Sequence, residues 1–383
     1  MISTIIPCYS ADTSGVCSAL YELGGMVVVH DASGCNSTYA THDEPRWYEM
    51  QSMIYISALT ETDAIFGNDE KLISDIVSSA KDQNPKFIAV CGSPMPMMIG
   101  TDFDAIAYEI EQRTNIPTIP LHTNGTRDYI QGASEALKAI AERFVKPSET
   151  KIQGGVNVLG ATPLDFKWKG TVSHIRQWLE ENGLQMVSCF AMDSSLDEIK
   201  KASSAEVNLV LSMSGMETAK YLEKTFGIPY VCGVPVGELF SKKLAEKLHE
   251  SIQKRQNLYP CTERISGSDT VIIGESIYSG SIACEITMQK GYGCTVLTPL
   301  PYENSVLCES DSTLKSESEI REFLNQIISL KNPASVITDP FYQFILPEGA
   351  TLIKFPHFAF SGRCFDQRIP DVINRNIKEF YHD

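Results

Sequence analysis

The sequence predicts an α/β protein built on parallel sheets, from three recurring features of its 383 residues. Short β-branched runs of strand length end in Gly- or Ser-bearing turns, and each is followed by an amphipathic stretch with helical spacing. The pattern repeats often enough to need more than one hydrophobic core.

Taken in order, residues 1–6 read as a strand, Met26–His30 as the next, Asn68–Ala80 as a helix, and Phe87–Cys91 as a strand ending at Gly92 and Ser93. A helix over Asp102–Arg113, a strand over Pro117–Leu121 and a long helix over Asp128–Phe144 close the first unit. A polar break at Lys146–Gln153 precedes a second unit: strand Val156–Leu159, helix Thr171–Asn182, strand Gln185–Phe190, helix Ser195–Ala202, strand Asn208–Ser212, helix Gly215–Phe226, strand Pro229–Val231 and helix Gly237–Gln256. The third begins at strand Thr270–Ile273 and continues through helix Ser281–Lys290, strand Cys294–Thr298, helix Ser318–Leu330 and strands Ala334–Thr338 and Thr351–Lys354. The expected domains are 1–148, 149–266 and 267–383.

Acidic residues outnumber basic ones 48 to 32, and the net charge of −16 repels phosphate backbones and anionic lipid surfaces. Nucleic acid is therefore not an expected partner. The N-terminus lacks the basic start and apolar run of a secretory signal, and no apolar run is long enough to span a bilayer, so a cytoplasmic, membrane-free protein is expected. Eleven cysteines, an odd number, are then expected to be reduced, for metal binding or burial.

Three of them share one topological place. Cys8 follows the first predicted strand, Cys35 the strand ending at His30, and Cys91 ends the strand from Phe87. Carboxyl ends of strands are where open α/β sheets hold cofactors. The spacing lacks the paired cysteines of a zinc ribbon or a bacterial ferredoxin.

The residues around the thiols are more specific. Cys8-Tyr9-Ser10-Ala11 leading to Gly15-Val16, and His30-Asp31-Ala32-Ser33-Gly34-Cys35, resemble the first two cluster-binding segments of nitrogenase component 1 subunits. Asp63-Ala64-Ile65-Phe66-Gly67-Asn68-Asp69-Glu70-Lys71-Leu72 is similar to a further segment of that superfamily. So are Ile99-Gly100-Thr101-Asp102 and Ile116-Pro117, and the order is kept. Asn208-Leu209-Val210, Gly227-Ile228-Pro229 and Leu352-Ile353-Lys354-Phe355-Pro356 extend the resemblance over most of the chain.

That resemblance implies three Rossmann-like domains and an iron–sulfur cluster, [4Fe-4S], on Cys8, Cys35 and Cys91. Its fourth ligand would come from across a subunit interface or from a carboxylate, Asp12 or Asp31. Where such subunits hold their large cofactor by a cysteine, this sequence reads Val210-Leu211-Ser212-Met213, which argues against dinitrogen reduction and for a smaller, nitrogenase-like member.

The implied activity is reduction of a substrate, a tetrapyrrole by analogy, in a dimer or tetramer with an identical or homologous subunit. Electrons would come from a separate nitrogenase-reductase-like ATPase, since this chain has no nucleotide-binding P-loop. The alternative is a non-catalytic scaffold for metallocofactor assembly, or a structural partner of a catalytic homolog.

Catalytic candidates are His42, His357 and Glu275. Ser212, Met213, Ser214 and Ser276 are expected with the last two on the wall of an interdomain cavity. His30 is expected either to brace the cluster turn or to be a satisfied core histidine. His42, Asp43, Glu44 and Arg46 form a polar run read as a solvated loop, or as the place of a proton donor.

Overall fold

The computed structural model describes residues 3–32 and 44–375. Three sheets follow one another along the chain, and all their strand pairings are parallel. The first unit runs α1 (Asp12–Leu20), β1 (Met26–His30), β2 (Met53–Ile56), α2 (Glu61–Phe66), α3 (Asp69–Gln83), β3 (Ile88–Gly92), α4 (Pro94–Ile99), α5 (Phe103–Thr114), β4 (Thr118–Leu121) and α6 (Tyr129–Phe144), with strand order β2-β1-β3-β4. The second runs β5 (Gly155–Ala161), α7 (Thr171–Glu181), β6 (Gln185–Ala191), α8 (Leu196–Ile199), β7 (Val207–Val210), α9 (Met216–Phe226), β8 (Tyr230–Cys232) and α10 (Leu239–Lys254), ordered β6-β5-β7-β8. The third runs β9 (Ser266–Ile273), α11 (Ser276–Lys290), β10 (Cys294–Thr298), β11 (Ser312–Thr313), α12 (Glu317–Ile327), β12 (Ala334–Thr338), β13 (Ala350–Lys354) and α13 (Phe358–Ser361), ordered β11-β10-β9-β12-β13.

Parallel strands covered by helices on both faces are apolar throughout, which is why β1 reads Met-Val-Val-Val-His and is buried along its length. Alternation within the strands sorts the side chains. Val27, Val29, Ala89 and Cys91 belong to the core shared with α1 and α6, whereas Met26, Val28, Ile88 and Val90 pack with α3 and α5. The pairs Val29 with Cys91 and His30 with Gly92 therefore mark the carboxyl edge of the first sheet.

Helix ends follow their capping chemistry. The Asn68 side chain accepts from the Lys71 amide at the start of α3, and Asp102 does the same for Ala105 in α5. On α3, Leu72, Ile73, Ile76 and Ala80 form the buried stripe that the periodicity predicts.

Some elements differ from expectation. Residues 3–6 form no strand; the Thr4 and Ile5 amides instead donate to the Glu317 carboxylate, at 2.7 Å for Ile5. The helix expected over 195–202 is the four-residue α8, followed by a 3₁₀ turn at Ala202–Ser204. Helix α11 starts five residues before its predicted Ser281, because Glu275 caps it by accepting from the Tyr278 amide. Helix α1 escapes prediction since Asp-Thr-Ser-Gly-Val-Cys-Ser-Ala-Leu is poor in helix formers.

Packing rather than propensity holds α1. It crosses α6 at two glycines: a Cβ on Gly132 would lie 1.9 Å from the Asp12 carbonyl oxygen, and one on Gly15 would lie 2.0 Å from that of Tyr129. Nothing but hydrogen fits at either point. The Gly132→Ala variant is expected to lose about 3 kcal/mol or more. Its thermal unfolding midpoint should fall by several degrees; an unchanged midpoint would mean that the two backbones part freely.

Candidate functional site

Two of the sequence-predicted thiols are described: Cys8 precedes α1, and Cys91 lies near the end of β3. Cys91 is fully buried, on the α1 and α6 side of its sheet. Gly92, next to it, is clasped by Thr123: its amide donates to the Thr123 hydroxyl at 3.0 Å, and that hydroxyl donates back to the Gly92 carbonyl at 2.6 Å. Cys8 is half-buried, with Sγ 3.6 Å from the Ser10 carbonyl and 3.8 Å from that of Ala359 in α13. Thr13, one residue into α1, lies within 3.5 Å of the Gly92 carbonyl and ties the Cys8 segment to the Cys91 strand end. Cys35, His42 and Asp43 lie outside the described residues.

Burial pushes the Cys91 thiol up to about 12, against a lowering contact from Thr123, and pushes the Cys8 thiol higher still, with Asp128 adding to it. Unliganded, both are neutral thiols near pH 7; thiolates here require a cationic partner to offset the loss of water. Among the described residues the buried hydroxyls of Ser10, Ser14 and Ser93 have no hydrogen-bond partner. All three flank the cysteine-bearing turns, and buried polar groups rarely go unpaired without a reason. Soft thiolates with unsatisfied hydroxyl donors beside them suit an iron–sulfur cluster, whose sulfides accept hydrogen bonds. Among the described residues alone, which exclude Cys35, no group of three or more His, Cys, Asp or Glu side chains is arranged to hold a metal ion.

The two carboxylate candidates differ. Asp12 is fully buried and accepts from the Asn124 amide at 2.9 Å, the Gly125 amide at 2.8 Å and Arg127 Nε at 3.1 Å. Both its oxygens hold the loop after β4, and a metal bond there would have to displace them. Asp31, just beyond β1, is buried and accepts from the Ala32 amide at 2.7 Å.

His30 is a satisfied core histidine. Its Nδ1 lies 2.7 Å from the Ser57 hydroxyl, its ring meets Phe103 edge-on, and burial lowers its pKa, keeping it neutral.

Glu44 and Arg46 correct the expectation of a solvated loop. They are only 1% and 0% exposed. The Arg46 guanidinium is bound to Glu44 at 2.6 and 2.9 Å, to Glu22 at 2.7 Å and to the Ser18 carbonyl at 2.7 Å, and it lies 4.6 Å over the Tyr21 ring. In sequence they looked like surface charges because their partners Glu22 and Ser18 stand far up the chain.

The residues expected on the wall of an interdomain cavity lie where the second and third sheets meet. Ser212, Met213, Ser214, Glu275, Ser276 and His357 are all buried. The Ser212 hydroxyl donates to the Gly160 carbonyl at 3.0 Å. Glu275 accepts from the Met213 amide at 2.9 Å and from the Tyr278 amide at 2.8 Å, joining the second and third sheets. Two further residues, not predicted, complete the cluster. Tyr129, the first residue of α6, donates its hydroxyl to Asp165, which also accepts from the Thr162 hydroxyl at 2.9 Å. His357 Nε2 lies 3.4 Å from Asp165, but neither ring nitrogen makes a hydrogen bond, and the ring stacks on Phe360 at 4.6 Å. A sequence signal existed: Asp31, Asp165, Glu275 and Asp339 each stand within four residues of the end of a strand. Burial pushes the Glu275 carboxyl up to about 8, and neighbouring Asp165 adds to it.

With this geometry described, the chain can be compared with known proteins. Residues 13–264, more than half of the sequence, match the family described as "Nitrogenase component 1 type Oxidoreductase". The chain belongs to that family. Relatives of this component 1-type protein include the "Nitrogenase iron-molybdenum cofactor biosynthesis protein NifE" of Clostridium pasteurianum, 34% identical over 45% of this chain and 38% of that protein. The "Nitrogenase molybdenum-iron protein alpha chain" of Methanosarcina barkeri is 26% identical over 50% of this chain and 36% of its own length. A "Light-independent protochlorophyllide reductase" polypeptide of Nostoc punctiforme is 22% identical over 57% of this chain and 45% of its own length. Each match thus spans less than half of the relative. The solved structure of nitrogenase Cp1 at pH 6.5 superposes with a TM-score of 0.66 over 95% of this chain and 89% of that one, at 16% identity, which establishes the α/β architecture with several parallel sheets. Among the described residues no helix is long and apolar enough to cross a membrane.

Arg46→Met keeps the bulk of the side chain but leaves Glu44 buried without its cation, and it should cost about 3–5 kcal/mol in urea unfolding, partly recovered by adding Glu44→Gln. Equal stability of the single variant and the wild type would show the cluster to be dispensable. Glu275 gives a pH signature. With its folded pKa raised, the carboxyl contributes stability that is complete below the unfolded value and is lost as the pH rises through about 8. The stability of wild type relative to Glu275→Gln should therefore fall between about pH 5 and 8. A difference independent of pH would mean that Glu275 is ionised throughout.

Proposed function

We propose that this component 1-type protein carries an iron–sulfur cluster, [4Fe-4S], on Cys8, Cys35 and Cys91, and that it is a scaffold on which a metallocofactor is assembled and passed on. The observation that carries the scaffold reading is that Tyr129, Asp165, Glu275 and His357, the polar side chains at the junction of the sheets, are all buried away from solvent. Relatives named for iron-molybdenum cofactor biosynthesis support it. So does Ser212, whose hydroxyl is a poor substitute for a thiolate as a permanent metal anchor.

A bound cluster of this kind supplies one-electron transfer at low potential. The protein's part is to hold and shield it. Burial keeps water from Cys91, while the hydroxyls of Ser10, Ser14 and Ser93 are the donors available to bridging sulfides. The fourth ligand is Asp31 or a group from a second subunit, since Asp12 is engaged with residues 124–127. The partner subunit is an identical or homologous component 1-type chain, and a cytoplasmic location goes with this chemistry. The proposed division into domains 1–148, 149–266 and 267–383 assigns one sheet to each, with the second boundary at the first residue of β9.

A second reading is reductive catalysis with electrons from a nitrogenase-reductase-like ATPase. The relatives named as nitrogenase and protochlorophyllide reductase chains favour it. It requires the junction around Glu275 and His357 to open.

Anaerobically purified protein is expected to contain iron and acid-labile sulfide with an EPR signal on reduction, most of it lost in Cys35→Ala and in Cys91→Ala. Full iron content in the combined Cys8, Cys35 and Cys91 alanine variant would sink the cluster assignment. Transfer of the bound metal to an acceptor protein supports the scaffold; turnover with a reduced ATPase partner, and no transfer, would replace it with the second reading.

A further inference from the structure

Four cysteines that the proposed cluster does not use, Cys261, Cys284, Cys294 and Cys308, lie within the field of one buried cation, Arg264. The Arg264 side chain is fully out of solvent, as is that of Asp311, to which its Nη2 is bound. Its Nη1 donates to the Cys261 carbonyl at 2.6 Å. Asp311 also accepts from the Cys308 amide at 2.8 Å and from the Val296 amide at 2.9 Å, so the guanidinium and Cys308 are held by the same carboxylate. Cys284 and Cys308 meet at the 3₁₀ turn Pro260–Thr262. Cys284 Sγ donates to the Cys261 carbonyl at 3.3 Å and to that of Pro260 at 3.4 Å, and Cys308 Sγ donates to the next carbonyl along, that of Thr262, at 3.0 Å. Successive residues stand about 3.8 Å apart, so one sulfur from α11 and one from the loop after β10 occupy neighbouring places on a single turn.

The two thiols differ in access: Cys284 is fully buried, whereas Cys308 is half-buried. Burial pushes the Cys284 thiol up to about 12. Burial also raises Cys308, but there Arg264 pulls the other way, against a smaller contribution from Asp311. Two donors at this place are unused. Among the described residues, neither Arg264 Nε nor the buried hydroxyl of Ser310, two residues after Cys308, has a hydrogen-bond partner. Buried polar groups are seldom left in that state. A cationic N–H without an acceptor near a partly accessible thiol is the environment in which sulfur is readily oxidised, because a thiolate or a sulfenate oxygen would accept from it.

We propose that Cys308 is a site of reversible oxidation by hydroperoxides and that Cys284 resolves it as a disulfide across the Pro260–Thr262 turn. In the first step the Cys308 sulfur attacks a peroxide oxygen. The S–O bond forms and the O–O bond breaks; the sulfur is oxidised to a sulfenic acid, and the thiol's proton ends on the departing water or alcohol. In the second step the Cys284 sulfur displaces the sulfenic hydroxyl. The S–S bond forms, the S–O bond breaks, and the Cys284 proton leaves with the hydroxide as water. A dithiol reductant reverses the pairing. The bond would tie α11 to the loop after β10 and to the turn that leads from the second unit into the third. This inference goes beyond the scaffold reading and does not depend on it, because none of its residues is a proposed cluster ligand.

The test is peptide mapping by mass spectrometry of the full, anaerobically purified chain after limited hydrogen peroxide and alkylation of the remaining thiols. A cross-linked peptide joining Cys284 to Cys308 is expected, absent before peroxide and lost again on treatment with dithiothreitol. In Cys284→Ala the sulfenic acid should persist on Cys308 and be captured by dimedone. In Cys308→Ser the cross-link should vanish and Cys284 should stay reduced. Wild-type protein unfolded in urea before peroxide should lose the preference for this pair. A Cys308 that stays reduced while exposed Cys364 is oxidised would overturn the proposal, as would a Cys308 paired with any other cysteine or a cross-link that forms equally in unfolded chain. Iron analysis of the untreated samples reads the cluster assignment separately, so either idea can fail without the other.

Discussion

Two backbones touching at Gly15 and Gly132 set the position of nearly everything else in the first unit. Side chains on either helix at that point would separate α1 from α6, and with it the segment from Cys8 to Ser14 from the end of β3. Helix α6 then carries the constraint onward. Its first residue, Tyr129, has its amide bonded to the Ser10 carbonyl at 3.1 Å and its hydroxyl to Asp165 of the second unit. Its later turns pack on α9 and on the turn at Met213–Gly215. The thiol-bearing turns and the junction of the sheets are thus two ends of one rigid connection, which explains why helix-poor sequence is tolerated in α1.

Much of this fold is legible in the sequence because parallel, doubly covered strands leave little choice of residue. Val27–Val29, Val158–Leu159 and Val336–Ile337 are apolar without alternation, and turns mark where each strand stops. What escapes is set by contacts distant in sequence. Residues 3–6 have β-forming composition but no neighbouring strand, and their amides go to Glu317, more than three hundred positions away. Helix α11 begins at Ser276 because a carboxylate caps it, which hydrophobic periodicity does not register.

The site was legible to a similar degree. The cysteine-bearing segments stand out in the sequence through their flanking residues, and Cys91 through its place in β3, while no strand precedes Cys8 among the described residues. The charged residues do not: Glu44 and Arg46 form an ordinary surface pattern until Glu22 and Ser18 meet them, and Asp165 acquires meaning only beside Tyr129 and His357. At the junction of the sheets buried Asp165 stands near enough to Glu275 to raise its carboxyl. Burial disfavours the ionised carboxylate and so drives Glu275 toward its protonated form.

The stretch that carries Cys35 is fastened at both margins. On one side the Asp31 amide donates to Ser57 at 3.1 Å, and on the other Glu44 and Arg46 are locked into the interior. The two margins are held by separate partners, Ser57 on one side and Ser18, Glu22 and Tyr21 on the other, so the frame around Cys35 rests on no single contact.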